Sequence, residues 1–179
     1  MDLQVHKNII EKSKRGDNKS QFELYKLYSR AMFNTCYRLM NHREDAEDIL
    51  QDSFSDAFRK LDTFVYHSTF GAWLKRIVLN NCINELKRRK LDLKFCEEIP
   101  SSVVDEVVEV KLSVDQIKKA MMQLPNGSRI IFSLYLLEGY DHREIAAILE
   151  TSESNSKSQY MRAKRKIKEI LTEEVYHEI

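Results

Sequence analysis

The chain has 179 residues, a formal net charge of +1, and a composition of 42% hydrophobic and 32% charged residues. That length can bury the core of one ordinary domain or two small ones, and the hydrophobic fraction excludes a disordered chain. Four glycines and two prolines are too few for a β-sandwich or barrel, no run approaches the roughly 20 apolar residues of a membrane span, and the first residues lack a signal-peptide core.

These exclusions predict a mostly helical, cytosolic protein. Residues 17–40 read as a first helix, with Phe22, Tyr25, Leu27, Tyr28, Met32, Cys36 and Leu39 at helical spacing. A second runs from about Arg43 to Leu61, where Ala46, Ile49, Leu50, Phe54, Ala57, Phe58 and Leu61 make one apolar stripe. Its other face shows Asp45, Asp48, Asp52 and Ser55. Thr63 to Ser68 breaks the period and reads as a loop. A third helix spans about Thr69 to Lys90, with Phe70, Trp73, Leu74 and Ile77 expected inside and Arg76, Asn80, Asn84, Lys87 and Arg88 on a polar stripe.

Leu91 to Lys111 holds Pro100-Ser101-Ser102 and no sustained stripe, and reads as a linker. Ser113 can cap a helix ending at Leu124-Pro125, and Asn126 can cap the next, ending at Glu138-Gly139. Asp141 can cap a short helix holding Ile145, Ala146 and Leu149; the turn Thr151 to Ser154 leads to a last helix reaching about Leu171. The fold expected is all-α: two small helical domains, 1–90 and 112–179, joined by a short acidic linker at 91–111, the second carrying a helix-turn-helix.

The small net charge conceals four blocks. Residues 71–90 carry six bases against Glu85, and residues 155–170 carry six against Glu169, each a local +5. Residues 41–62 carry three bases and seven acids (−4), and residues 91–110 carry Lys94 against six acids (−5). Two basic helices point to nucleic acid. On the last helix Tyr160, Ala163, Ile167, Ile170 and Leu171 share one face, with Ser158, Met161, Arg162 and Arg165 opposite. A recognition helix needs that division, one face packed on its domain and one in the major groove. Arg162 and Arg165 can read guanine edges or hold phosphates, and spacing does not choose.

Leu124-Pro125, Arg129, Phe132, Leu134, Glu138-Gly139, Glu144-Ile145-Ala146, Leu149, Lys157-Ser158 and Arg162-Ala163 resemble the carboxy-terminal domain of bacterial sigma factors. Asp45 to Phe54, then Phe70, Trp73-Leu74, Ile77, Asn80 and Arg88-Arg89, resemble their second domain. Order and spacing are similar to the extracytoplasmic-function (ECF) class, which keeps these two domains. Four positions depart from the usual pattern: Asn84 for Asp, Glu150 for a turn Gly, Asn155-Ser156 for Thr-Val, and Gln159 for Arg.

The resemblance implies an initiation factor with the polymerase as the catalyst. Core RNA polymerase would dock on Asp45, Asp48, Gln51 and Asp52. Minus-ten DNA, captured as a melted strand, would meet Tyr66, His67, Ser68, Arg76, Asn80, Asn84, Lys87 and Arg88, with Phe64 and Thr69 framing a base pocket. Duplex minus-thirty-five DNA would meet Lys157, Ser158, Arg162, Arg165 and Lys166. An anti-sigma factor is implied as a further partner, able to hold the chain at the inner membrane.

An enzyme reading finds no support in the residues. His6, His42, His67, His142 and His177 are scattered, and Cys36, Cys82 and Cys96 are odd in number and widely spaced, so no metal site, cofactor or small-molecule substrate is expected. Two other readings stay open: a free-standing helix-turn-helix regulator, and a helical adaptor binding only proteins.

Overall fold

A computed structural model describes residues 6–89 and 114–177, which are helical without a strand. The expectations for the linker 91–111, for Lys90, and for a Ser113 cap fall outside the described residues. The chain divides into two compact units, Met1–Arg88 and Arg89–Ile179.

The first unit comprises α1 (Lys7–Lys14), α2 (Asn18–Met40), α3 (Arg43–Arg59) and α4 (Phe70–Arg88). Helix α1 was not expected from the sequence. It buries only Ile10 and Ser13, too few inward positions to set a period. Asp17 caps α2 by accepting from the Ser20 amide. Helix α2 packs against α1, α3 and α4, and α3 also packs on α4. Their core includes Leu24, Cys36, Leu39, Ala46, Ala57, Leu74, Val78 and Cys82, all at 1% exposure or less. Cys36 and Cys82 are both buried in it.

Three expectations for this unit need correction. Phe22 and Leu27 lie outward on α2, 60% and 48% exposed. Helix α3 stops at Arg59, and Leu61 reaches the core from a 3-10 turn at Leu61–Thr63. On α4, Trp73 and Ile77 are half-buried, while Val78, Leu79, Cys82, Ile83 and Leu86 take the inner positions beside Phe70 and Leu74. The helix is apolar over more than one face, so periodicity alone left its orientation ambiguous. Gly71 permits close packing, because a Cβ there would stand 3.0 Å from the Tyr28 ring.

The second unit comprises α5 (Val114–Met122), α6 (Asn126–Phe132), α7 (His142–Leu149) and α8 (Glu153–His177). Helices α5, α6 and α7 all pack on α8. One cluster joins Ala120, Met121, Leu124 and Phe132 to Ala163, Ile167, Ile170 and Leu171. Pro125, with extended backbone, holds the cap position of α6, and Asn126 is its first helical residue. The Asn126 side chain instead accepts from buried Arg129 at 2.8 Å. Helix α6 widens into a π turn at Ser133–Leu137, which leaves Tyr135, Leu136 and Leu137 partly exposed. Gly139, at φ +79°, then takes the left-handed conformation that ends the segment.

Asp141 and Glu144 form a reciprocal capping box at the start of α7. Glu150 adopts the left-handed region at φ 50°, so the turn accepts strain where the resembled pattern has glycine. Helix α8 starts at Glu153, inside the expected turn, with the Ser152 hydroxyl accepting from the Asn155 amide at 3.0 Å. It continues past the expected end at Leu171 to His177.

Candidate nucleic-acid and polymerase interfaces

Helix α3 holds its inner stripe against α2 and α4 and leaves Asp48, Gln51 and Asp52 exposed, with Asp45 half-buried. Asp45 sits 3.3 Å from the His42 ring nitrogen at the helix start. Negative side chains in this first turn also complement the helix dipole. The result is an acidic ridge two turns long. Charges arranged this way fix orientation and association rate at a protein interface.

Across from α3, helix α4 presents Arg76, Asn80, Asn84, Lys87 and Arg88 outward, all exposed. Their four-residue steps make one polar face. Arg88 makes two 2.8 Å bonds to Glu85. Asp52, Asn84 and Arg88 also border a single open groove between α3 and α4, floored by Ile49. The end of the expected polymerase-binding set therefore adjoins the end of the expected minus-ten set. Asn81 stitches the groove by donating to Ser53 Oγ at 3.1 Å and Asp56 Oδ2 at 3.2 Å.

The loop before α4 is tied down from within. Phe64, 2% exposed, meets Tyr66, Phe70 and Trp73 with ring centroids 4.7, 5.7 and 5.4 Å away. Phe64 is thus wall rather than pocket lining. Tyr66 is half-buried at φ 62°, and its phenol donates to Glu11 Oε1 at 2.7 Å. Burial, reinforced by the Glu11 carboxylate, pushes that phenol up to about 12. The same hydrogen bond, with Lys14 beside it, lowers the Glu11 carboxyl below its ordinary value. His67 is exposed, Ser68 and Thr69 are half-buried, and the Thr69 hydroxyl accepts from the Ala72 amide at 3.3 Å.

In the second unit, α7, its turn and α8 form the helix-turn-helix. Lys157, Ser158, Met161, Arg165 and Lys166 lie outward on α8, and Arg162 is half-buried. Lys157 pairs with Glu153 at 2.6 Å and Lys166 with Glu169 at 3.1 Å. The Lys157 hydrogen bond lowers the Glu153 carboxyl. The inner face of α8 carries two polar contacts near its start. Gln159 Oε1, 1% exposed, accepts from the Ser128 hydroxyl at 2.7 Å, and Ser156 Oγ lies 2.9 Å from His142 Nδ1. The His142 ring stacks on Tyr135 at 4.4 Å and meets Tyr160 edge-on at 5.6 Å. Burial, with Tyr135 nearby, raises the Tyr160 phenol. Among the described residues no cluster of histidine, cysteine or carboxylate side chains could hold a metal ion.

Sequence reasoning did not single out Glu11, Lys14, Ser128 or Gln159 as partners. Only the three-residue spacing of Glu11 and Lys14 hinted at a surface pair; the rest depend on tertiary contacts.

The family description Sigma-70 region 2 matches residues 24–91, and Sigma-70 region 4 matches residues 115–167. One match falls in each helical unit, in the same order, with α1 outside both. Among curated relatives, the ECF RNA polymerase sigma factor SigW of Bacillus subtilis is 26% identical over 96% of this chain and 98% of its own length. SigM of Mycobacterium tuberculosis, also an ECF sigma factor, is 28% identical over 87% of this chain and 79% of its own. The solved structure of CnrH in complex with the cytosolic domain of CnrY has 23% identity and a TM-score of 0.50, covering 96% of this chain and 98% of that one, and it agrees in fold. The chain belongs to the ECF class of the sigma-70 family. It is accordingly an alternative sigma factor of transcription initiation.

Proposed function

We propose that the chain binds core RNA polymerase through Asp45, Asp48, Gln51 and Asp52 on α3, directs it to promoters with two elements, and helps open the DNA. In this reading the loop Tyr66 to Ser68 and the α4 face Arg76, Asn80, Asn84, Lys87 and Arg88 take the minus-ten region. Capture of an unstacked base requires a fixed loop beside a basic track, and the anchoring of the loop next to the polar face of α4 supports that reading. The α8 face with Lys157, Ser158, Arg162, Arg165 and Lys166 takes the minus-thirty-five duplex.

The observation that carries this reading is the division of α8. Its apolar residues and Gln159 are spent on the unit's own core, and its basic residues, apart from half-buried Arg162, lie outward along a helix that one major groove can admit. The family resemblance further supports an anti-sigma factor that masks these surfaces, and a cytoplasmic site of action with tethering through that partner. No helix among the described residues is long and apolar enough to cross a membrane.

Run-off transcription with purified core polymerase on genomic fragments, followed by start-site mapping, tests the proposal. Discrete starts preceded by two shared elements are expected. Sequence-specific duplex binding without polymerase, and no starts with it, would instead identify a free-standing regulator.

A further inference from the structure

The loop from Phe64 to His67 alternates like a strand: Phe64 inward at 2% exposure, Val65 outward at 60%, Tyr66 half-buried, His67 outward. Within it Tyr66 holds a left-handed backbone at φ 62°. A bulky residue is held there only where surrounding contacts over-determine it.

Those contacts come from α1. The Tyr66 hydroxyl donates to Glu11 Oε1 at 2.7 Å across 55 residues of sequence. Lys14 Nζ donates to the Phe64 carbonyl at 2.9 Å and pairs with Glu11 at 3.1 Å, so one ammonium ties the loop backbone to the phenol's acceptor. Lys7 and Lys14 also lie 5.7 and 5.1 Å from the centre of the Tyr66 ring. A base stacking on Tyr66 would have to compete with these cations for the ring, while the phenol stays committed to Glu11. Val65 and His67 carry no such burden.

We infer that Tyr66 is a positioning residue, locked by Glu11 and Lys14 of α1 so that Val65 and His67 face the melted minus-ten strand, which makes α1 part of the base-selecting apparatus. The inference rests on the reading that this loop meets opened DNA. It assigns the Tyr66 contact to the protein rather than to the promoter.

The test uses holoenzyme assembled from core polymerase and the full chain, on mapped promoters carrying single-base changes in both elements. Competitive run-off transcription gives the discrimination at each position. Glu11→Ala and Tyr66→Phe should each reduce discrimination at one downstream position about tenfold, the scale of one hydrogen bond to a charged acceptor. Glu11→Gln, whose amide oxygen still accepts but without the charge that holds Lys14, should show a smaller loss of about threefold. Combining Glu11→Ala with Tyr66→Phe should add nothing, and core affinity and upstream preference should not move. If Tyr66 stacked on a base, Tyr66→Phe would be silent and Glu11→Ala harmless, and the inference would fall. Equal losses at every promoter position would reduce the contact to a general structural one and overturn it as well. Absence of promoter-specific starts from the unsubstituted chain would remove the functional reading itself, an outcome distinct from the other two.

Discussion

Gln159 offers the sharpest test of how α8 is oriented. Its side chain is buried, and its carbonyl oxygen accepts from the Ser128 hydroxyl, itself only 5% exposed. Gln159→Met keeps the length of the side chain and removes the acceptor. The stranded hydroxyl costs about 1–3 kcal/mol, partly offset by the more apolar replacement, so a net loss of about 1–2 kcal/mol is expected. For a unit of this size that lowers the melting temperature by roughly 4–16 °C. Ser128→Ala removes the other end of the bond, and the double variant should lose less than the two singles combined, with a coupling near 1 kcal/mol. Melting followed by far-ultraviolet circular dichroism gives these values. Holoenzyme affinities on promoters with single-base upstream changes give the second readout, and there the base preference should be retained, because Ala163, Ile167 and Ile170 still seat the helix. Full thermal stability together with an altered preference at one upstream base would refute the reasoning and put Gln159 in the groove.

Reversing Asp48 and Asp52 to Lys should weaken holoenzyme assembly in a titration with core polymerase while changing stability by no more than about 0.5 kcal/mol per site, since both side chains are exposed. Alkali should loosen the first unit through Tyr66, whose neutral form the folded state prefers. Its contribution is complete below its unfolded value near 10 and is lost as pH rises through about 12, with Glu11, Lys7 and Lys14 facing the ring; urea midpoints for the parent should fall over that window more than those for Tyr66→Phe. Arg165→Ala should relax preference at one upstream position at a cost of roughly 1–3 kcal/mol, whereas Lys166→Ala should weaken all promoters alike and reduce the salt slope by about one, both measured as holoenzyme affinity at several salt concentrations.

The legible parts of the fold were those with a strong period or a cap chemistry. The α3 stripe from Ala46 to Ala57 and the Asp141 cap were readable because three- and four-residue steps and an Asp just before an apolar run have local causes, whereas the reciprocal bond from Glu144 came from the structure. Helix α1 escaped because Ile10 is its single fully buried apolar residue and the rest of its stability is tertiary. The orientation of α4 was misjudged at Trp73 and Ile77 because the core lies one step around, on Val78 and Cys82. At the candidate site, outward charges on α3, α4 and α8 could be placed from periodicity alone. The Glu11–Tyr66 and Ser128–Gln159 bonds could not, since they join residues 55 and 31 positions apart and depend on how helices meet. Nor does any local signal mark Tyr66 as left-handed, a conformation its side chain resists.

Trp73 is the chain's single tryptophan. It stands half-buried over Phe64 and Phe70, at 5.4 and 5.6 Å between ring centres, directly beneath the anchored loop. An indole there is a built-in optical gauge. Its emission colour follows local wetness, so under excitation beyond the tyrosine band, lifting Phe64 away would shift the light toward the red with no dye attached and no second indole in the chain. If a short single-stranded oligonucleotide binds that corner of the first unit, as proposed, the unlabelled protein would report it in real time.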